Sequence, residues 1–384
     1  MTWNTLITWS PSDVLGAADL NNNFDNVQML YSMMPIFADG RLTLSSGVPL
    51  PTADVSAAST LYYTPTAKGN KISIYDGTSW TLNSFTELSI SLSSIIKHVT
   101  YDVFVYLSGG TLTLELLAWK KVTATNSPTS GASKTINISD TGDLAIGREV
   151  TVKDGTNSEV AVITAVVANT SITVANLSNG YTLPDIYGFF TRATALTTQN
   201  GVYVKSGSTG RRYVGTIGGA GANGQSEDSK ARRLVWNYYN RERRSLYCFD
   251  TTDSWTYTAT ALRPANNNTT PGTGRVEFVV GVQEAMLSLK NSSIVVNSTA
   301  SVHTYCPIGI DVLLTSSSTI STSANTNSAS ITFRPNSAYD GQIGIGLHYA
   351  QRLEGSGAAG STTWYGDQSG TYFDQTGMSG WVDG

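Results

Sequence analysis

The chain has 384 residues, enough for two or three domains that each bury a core, which excludes a peptide ligand or a small stapled scaffold. Only 14 % of the residues are charged, while Ser and Thr make up about a quarter, a composition of short strands and turns with little exposed amphipathic helix. Twenty-four Lys and Arg against 28 Asp and Glu leave a net charge of −4, so there is no basic field to neutralise a phosphate backbone, and nucleic acid is not expected as a partner.

At the N-terminus, Met1-Thr2-Trp3-Asn4 shows no cationic stretch followed by an apolar one, and nowhere do about 18 apolar residues run together, so neither export nor membrane insertion is expected. Between Ala17 and Met34 the residues Leu20, Phe24, Val27, Tyr31 and Met34 are spaced four, three, four, three, which predicts a helix with one apolar stripe, ended by Pro35. Two uses stand open: a short seam through which copies associate, or a helix lying on its own domain. Val48 to Thr66, with Pro49, Pro51 and Pro65, predicts an extended connector.

From Lys71 the pattern has period two. Ile72 and Ile74 before Asp76-Gly77 and Trp80 predict a hairpin, as do Tyr101–Leu107 and Leu112–Trp119 around Gly109-Gly110. The Ser/Thr/Asn-rich stretch Thr123–Ser133 introduces short strand candidates at 134–138, 149–153, 159–167 and 171–174, read as a small inserted β module. Strand rhythm resumes at Gly201–Lys205 and Arg211–Ile217, and the Gly/Ala tract Gly218–Gln225 predicts a flexible boundary. Beyond it, strands at 234–239, 245–249, 255–261, 275–282, 293–297 and 309–314, separated by turn clusters, predict an antiparallel sandwich or barrel. The segment Ser229–Arg244 suits either strand or helix. The tail Gly355–Gly384 carries Trp364, Tyr365, Tyr372, Phe373 and Trp381 among glycines. Its rings suit either stacking on sugars or filling an interface between subunits.

Chemical motifs are sparse. Gly219–Gly224 matches G-x-G-x-x-G but lacks a βαβ context, so no cofactor is expected. Cys248 and Cys306 are expected as small buried residues, and His98, His303 and His348 are too far apart in sequence to suggest a metal site. The carboxylate pairs Glu227-Asp228, Asp250 with Asp253, and Asp367 near Asp374 lie beside turn residues, where Asp serves its own backbone, and no enzyme is expected. The dense cluster Arg232-Arg233 and Arg241–Arg244 is expected to meet carboxylates across a subunit interface or to face solvent.

Trp3, Trp9 and the run from Asp13 to Asn21 resemble the opening of bacteriophage virion appendage proteins. The resemblance to the tail-fibre and head-fibre family continues through Leu61–Pro65, Ile72–Trp80, Tyr101–Phe104 and Leu112–Leu116. In that family an Ala-Trp is followed almost at once by T-R-A-T-A-L; here Ala118-Trp119 and Thr191–Leu196 are separated by the inserted module. It resumes at Asn200–Gly207, Arg211–Tyr213, Trp236–Arg241 and Val276–Gly281, and reaches Trp364–Asp367 and Met378–Gly380. The resemblance implies a homotrimer of β-rich domains, assembled in the host cytoplasm and located on the virion with its N-terminus towards the particle.

The expected fold is mainly β: an N-terminal helix and extended anchor, then antiparallel sandwich or barrel domains with a small inserted β module. The expected division is residues 1–60 for docking, 61–122 with 188–218 for a central domain, 123–187 for the insert and 226–384 for the C-terminal domain. Trp3, Trp9, Leu20 and Phe24 are the expected docking residues, and Trp364, Tyr365, Tyr372 and Trp381 the expected contacts to a host glycan. The expected partners are further copies of the chain, other virion proteins and a host surface glycan. The leading expectation is a fibre that mediates host adsorption. A decoration protein of the capsid and a polysaccharide depolymerase are the alternatives.

Overall fold

The computed structural model describes residues 8, 16–33, 37–325, 329–367 and 375–384. Trp3, Trp9 and Tyr372 therefore lie outside the described residues. Among those described, one α-helix, Ala17–Met33, precedes strands gathered in seven largely antiparallel sheets, so the chain is mainly β. Regular alternation and turn chemistry explain much of this locally. Gly109 and Gly110, both at positive φ, close a two-residue hairpin in which Ser108 faces Thr111. In the other early hairpin the Asp76 carboxylate accepts from the amides of Thr78 and Ser79, while Gly77 takes φ +104.

The central body runs in the order Leu196–Gln199, Val202–Lys205, Ser208–Gly218, Thr100–Ser108, Thr111–Ala118. Its core packs Val103, Val105, Val214 and Ile217 against Leu61, Tyr63, Ile72 and Ile74. This corrects the expected connector at Val48–Thr66. Thr60–Pro65 is a strand paired with Gly40–Thr43 on one side and Leu88–Ser91 on the other, with Leu61 and Tyr63 buried. Alternating Leu61 and Tyr63 outweighed the flanking prolines, and Pro65 sits at the strand's end, where no ladder bond is lost.

Strands between Lys121 and Tyr187 form a six-stranded sheet of their own, with Ile136, Val150, Ile163, Ile172 and Ile186 in a separate core. In the C-terminal part, inward residues of Arg275–Val280 and Gly346–Ser356 meet those of Arg243–Asp250, Met286–Ser292 and Thr376–Asp383, which is a sandwich. Cys248 lies in this core.

Pairing does not stop at residue 226. Ser226–Asp228 pairs with Val55–Ala58, and Val235–Asn237 pairs with Ser208–Gly218, so the C-terminal chain is stitched into the preceding body. Strand wins over helix in the ambiguous Ser229–Arg244 segment, with Trp236 fully buried. The tract Gly218–Gln225 is not a flexible hinge. The Gly219 amide donates to Val99 O at 2.9 Å, its carbonyl accepts from His98 N at 3.0 Å, and Gly224 N donates to Ile95 O at 2.8 Å. Glycine is needed at 219 for close approach, since a Cβ there would stand 2.0 Å from the Ile96 carbonyl oxygen. Gly219→Ala is expected to destabilise the protein by ~1–3 kcal/mol, read as a lower urea midpoint.

The Arg cluster also departs from expectation. Asp228 receives Arg233 and Arg244, each at 2.8 Å, and Arg232 meets Glu227 at 3.2 Å and Glu277 at 2.8 Å, all within one chain. Most of these charges are met within the fold because Ser226–Asp228 and Arg232–Arg233 of one sheet face Arg243–Asp250 of the other, while Arg243, 71 % exposed, faces solvent as expected.

Candidate functional site

Three surfaces merit a chemical reading: the N-terminal helix, the cleft where the insert meets the other bodies, and the outer face of the C-terminal sandwich. The helix runs beside Trp80–Ser84. It turns the stripe Asp19, Asn22, Asn23 and Asn26 towards partial or full burial, and leaves Leu20, Phe24 and Val27 outward at 39, 61 and 48 % exposure. Buried Asn with exposed Phe reverses the usual amphipathic arrangement of a helix resting on its own domain.

The cleft is lined by His98 and Trp119 from the central body, Arg148 and Glu149 from the insert, and Glu277, His348 and Tyr349 from the sandwich. Arg275 is its organising charge. Its guanidinium grips Glu149 at 2.7 and 3.0 Å and Glu277 at 2.7 and 3.0 Å, and Arg232 takes the other oxygen of Glu277 at 2.8 Å. Burial is the largest single influence and works against the charge on Glu277, but Arg275, His98 and Arg232 together outweigh it and hold the carboxyl below its usual range. The ligand atoms of His98, Glu149 and Glu277 lie within 4.8 Å of one another. Burial lowers the pKa of His98, outweighing the carboxylates that raise it, so the ring is a neutral donor. Such a set would suit a divalent cation, but the carboxylate oxygens are already spent on two guanidinium groups, so the donors do not fit a metal. The arrangement is an ion-pair junction that fastens insert to sandwich.

A second clasp lies alongside. Arg148 stacks 3.3 Å from the Phe190 ring centroid while donating to the carbonyls of Asp143 and Gly188. His348 lies against Phe190 in a tilted arrangement at 4.7 Å and contacts Asp311 Oδ2 at 2.7 Å, and the Tyr349 hydroxyl donates to Gly147 O at 3.1 Å. A Cβ on Gly346 would be 2.3 Å from Phe190, so glycine lets the insert's return segment reach the sandwich.

The cysteines, His303 and several of the paired carboxylates are engaged in contacts within the fold. Burial pushes the Cys248 thiol up to about 11 and Cys306 up to about 12, so neither supplies a thiolate at neutral pH. His303 contacts Ser323 and Asn325. Asp250 is buried and accepts from Thr252 N, Glu227 and Asp228 serve arginines, and Asp374 lies outside the described residues. Glu354, its pKa raised by burial, has its oxygens taken up by Trp255 Nε1 and Arg263 Nε, each at 2.7 Å. Gly219–Gly224 leads into the strand Ser226–Asp228 rather than a helix, which removes the dinucleotide fingerprint.

The expected glycan contacts are not brought together. Trp364 is fully buried against Val295 and Cys306, with Nε1 donating to Tyr257 O at 3.0 Å, so it is no surface contact. It alternates with Tyr365 on a short strand whose inner side happens to be the tryptophan's. Tyr365 is half-buried on that three-stranded sheet, whereas Trp381 belongs to the five-stranded outer sheet. Beside Trp381 stand two rings that sequence reasoning missed, Tyr247 and Phe249, stacked at 4.8 Å on the neighbouring strand. The signal was the alternation Leu246, Cys248 inward against Tyr247, Phe249 outward, but all four residues are apolar and the outward face could not be chosen.

No protein-family model and no curated protein matches the chain. Among solved structures, one of infectious bursal disease virus, Gx strain, is 9 % identical, covering 87 % of this chain and 76 % of that one at a TM-score of 0.18. A family 43 glycoside hydrolase, an arabinoxylan arabinofuranohydrolase from Bacillus subtilis in complex with cellotetraose, is 11 % identical over 85 % of this chain and 65 % of that one, at a TM-score of 0.18. A Gt-strain structure of the same virus is 10 % identical over 92 % and 72 %, at 0.14. At these TM-scores none of the three carries an argument about fold or function.

Proposed function

We propose that the chain is a bacteriophage virion appendage protein, a homotrimeric fibre part that joins the particle through its N-terminal segment and mediates attachment to the host surface. The observation that carries this reading is the outward stripe Leu20, Phe24 and Val27 on a helix whose inward side is Asp and Asn. A stripe at four-three spacing seeks equivalent helices or a groove on another virion protein. The resemblance of Asp13–Asn21 and of Trp236–Arg241 to tail-fibre and head-fibre proteins supplies the particle. The ion-pair junction at Arg275 suits such a part, because a rigid body transmits the position of its base to its far end.

Sedimentation of the purified protein is expected to give a mass near three chains. Leu20→Asp with Phe24→Asp should reduce it to one, leaving the urea midpoint within about 0.5 kcal/mol, since both positions are exposed. On particles, a C-terminal label should decorate appendages, and free protein should coat susceptible cells and block infection. A native single subunit that binds neither cells nor particles overturns the proposal. Labelled particles without cell binding move it to the decoration role.

A further inference from the structure

We infer that the buried guanidinium of Arg212, together with the hydroxyls of Tyr63 and Tyr239, binds a monatomic anion such as chloride, held as a structural ion inside the central body. The inference goes beyond the attachment reading and does not rest on it.

The three side chains come from separate segments. Arg212 lies on Ser208–Gly218, opposite Val204 on one side and Val105 on the other, Tyr63 lies on Thr60–Pro65, and Tyr239 follows Val235–Asn237. Arg212 is 0 % and Tyr63 1 % exposed. One nitrogen of the guanidinium, Nη1, donates to Ser73 O at 2.8 Å. Nε and Nη2 form the edge that grips carboxylates in pairs, and among the described residues neither has a hydrogen-bond partner; nor do the hydroxyls of Tyr63 and Tyr239. Arg192 shows what that edge ordinarily meets, since its Nε and Nη2 hold the two oxygens of Asp102 at 2.6 and 3.1 Å. Arg352, as deeply buried as Arg212, has Asp250 at 3.8 Å. Arg212 has no carboxylate within ion-pair distance among the described residues.

The phenols and the guanidinium form one cluster. Burial raises the pKa of both phenols, and the charge of Arg212 is the largest influence against it. Arg212 Cζ stands 4.7 Å from the Tyr239 ring and 5.6 Å from the Trp80 ring. Such rings meet the face of the ion and offer no acceptor to the N–H groups in its plane. Hydrogen-bond supply then fixes the sign of the ligand. Even where both phenol oxygens accept from the arginine, their own protons still need an acceptor, so donor hydrogens outnumber acceptors however the hydroxyls turn. The Gly40 amide, which also acts on the Tyr63 hydroxyl, adds a further donor. The carboxylate of Asp39 ranks below Arg212, Gly40 and Tyr239 in its effect on Tyr63, and its Oδ2 accepts from Lys71 N at 2.9 Å. A guanidinium buried to this degree is strongly destabilising until a negative charge meets it. Water would accept the hydrogen bonds and leave the charge, whereas a monatomic anion answers both and accepts from every direction. Enclosure within the body excludes an organic anion.

The test is urea unfolding of the full chain with chloride exchanged for gluconate at fixed ionic strength. Above the dissociation constant, the unfolding constant should fall about tenfold for each tenfold rise in chloride, as one ion per chain requires. Arg212→Met should remove that dependence. Tyr63→Phe with Tyr239→Phe, which keeps both rings, should weaken chloride about tenfold, read as the concentration at which the dependence sets in. In crystals grown in bromide, the anomalous signal should lie within hydrogen-bond distance of Arg212 Nε and Nη2. Unfolding that ignores chloride overturns the inference, as does a dependence that Arg212→Met leaves intact, or water in place of bromide at the guanidinium edge. If Arg212→Met does not fold, the double phenylalanine variant and the bromide position decide.

Discussion

Replacing Arg275 by Met is expected to lower the stability of the protein by ~3–5 kcal/mol, read as a shift of the urea midpoint followed by tryptophan fluorescence. The side chain of Arg275 is 5 % exposed and its partners Glu277 and Glu149 are 4 and 19 % exposed, so removing the guanidinium strips Glu149 of its ion pair and leaves Glu277 with Arg232 alone in a poorly solvated cleft. Methionine fills most of the volume, which leaves charge as the main quantity changed. Adding Glu149→Gln and Glu277→Gln to the same variant should recover much of the loss, because a neutral buried cluster costs far less than an unpaired one.

The acid dependence of that difference has a definite sign. The Glu277 carboxyl is held below its usual range in the folded protein, so its contribution is complete above the unfolded pKa of about 4.3 and is lost as pH falls through the folded value. The gap between the native protein and Arg275→Met should be widest above about pH 5 and should close towards acid, where protonation removes the charge that Arg275 exists to meet. A gap constant from pH 7 down to pH 3 would mean that the arginine acts through packing alone.

The junction also shows what the sequence could and could not disclose. Strands such as Thr100–Ser108 and Thr111–Ala118 were legible because alternation and a Gly-Gly turn are local signals. The sheet between Lys121 and Tyr187 was foreshadowed by short β-branched runs after a polar stretch. Glu149 and Glu277, by contrast, are 128 positions apart and meet only because the insert folds back onto the sandwich, a contact no periodicity encodes. The same limit made Gly218–Gln225 look like a hinge: small residues mark flexibility and tight packing alike, and only the carbonyl of Ile96 beside Gly219 distinguishes the two. For the surface, composition located the aromatic tail but not its sidedness. Trp364 and Trp381 sit in similar glycine-rich surroundings, and the difference between them is which way each strand's pleat turns.

That difference sets the second large effect. Trp364→Ala is expected to cost ~3–5 kcal/mol, since it empties a fully buried site between Val295 and Cys306 and orphans the Tyr257 carbonyl that accepts from Nε1. Trp364→Phe keeps most of the volume and loses chiefly the hydrogen bond, so it should cost about 1–2 kcal/mol. Trp381→Ala should stay below ~1 kcal/mol, because that ring is half-buried and its partner is the largely exposed Arg243. Urea midpoints of the three variants measure the order directly. Should Trp381→Ala prove the costlier, its ring would belong to a packed layer, and the expected glycan contact at that position would fall. Should the order hold, stability and surface chemistry divide between two tryptophans seventeen residues apart, one closing the core of its own subunit and the other left to meet something outside it.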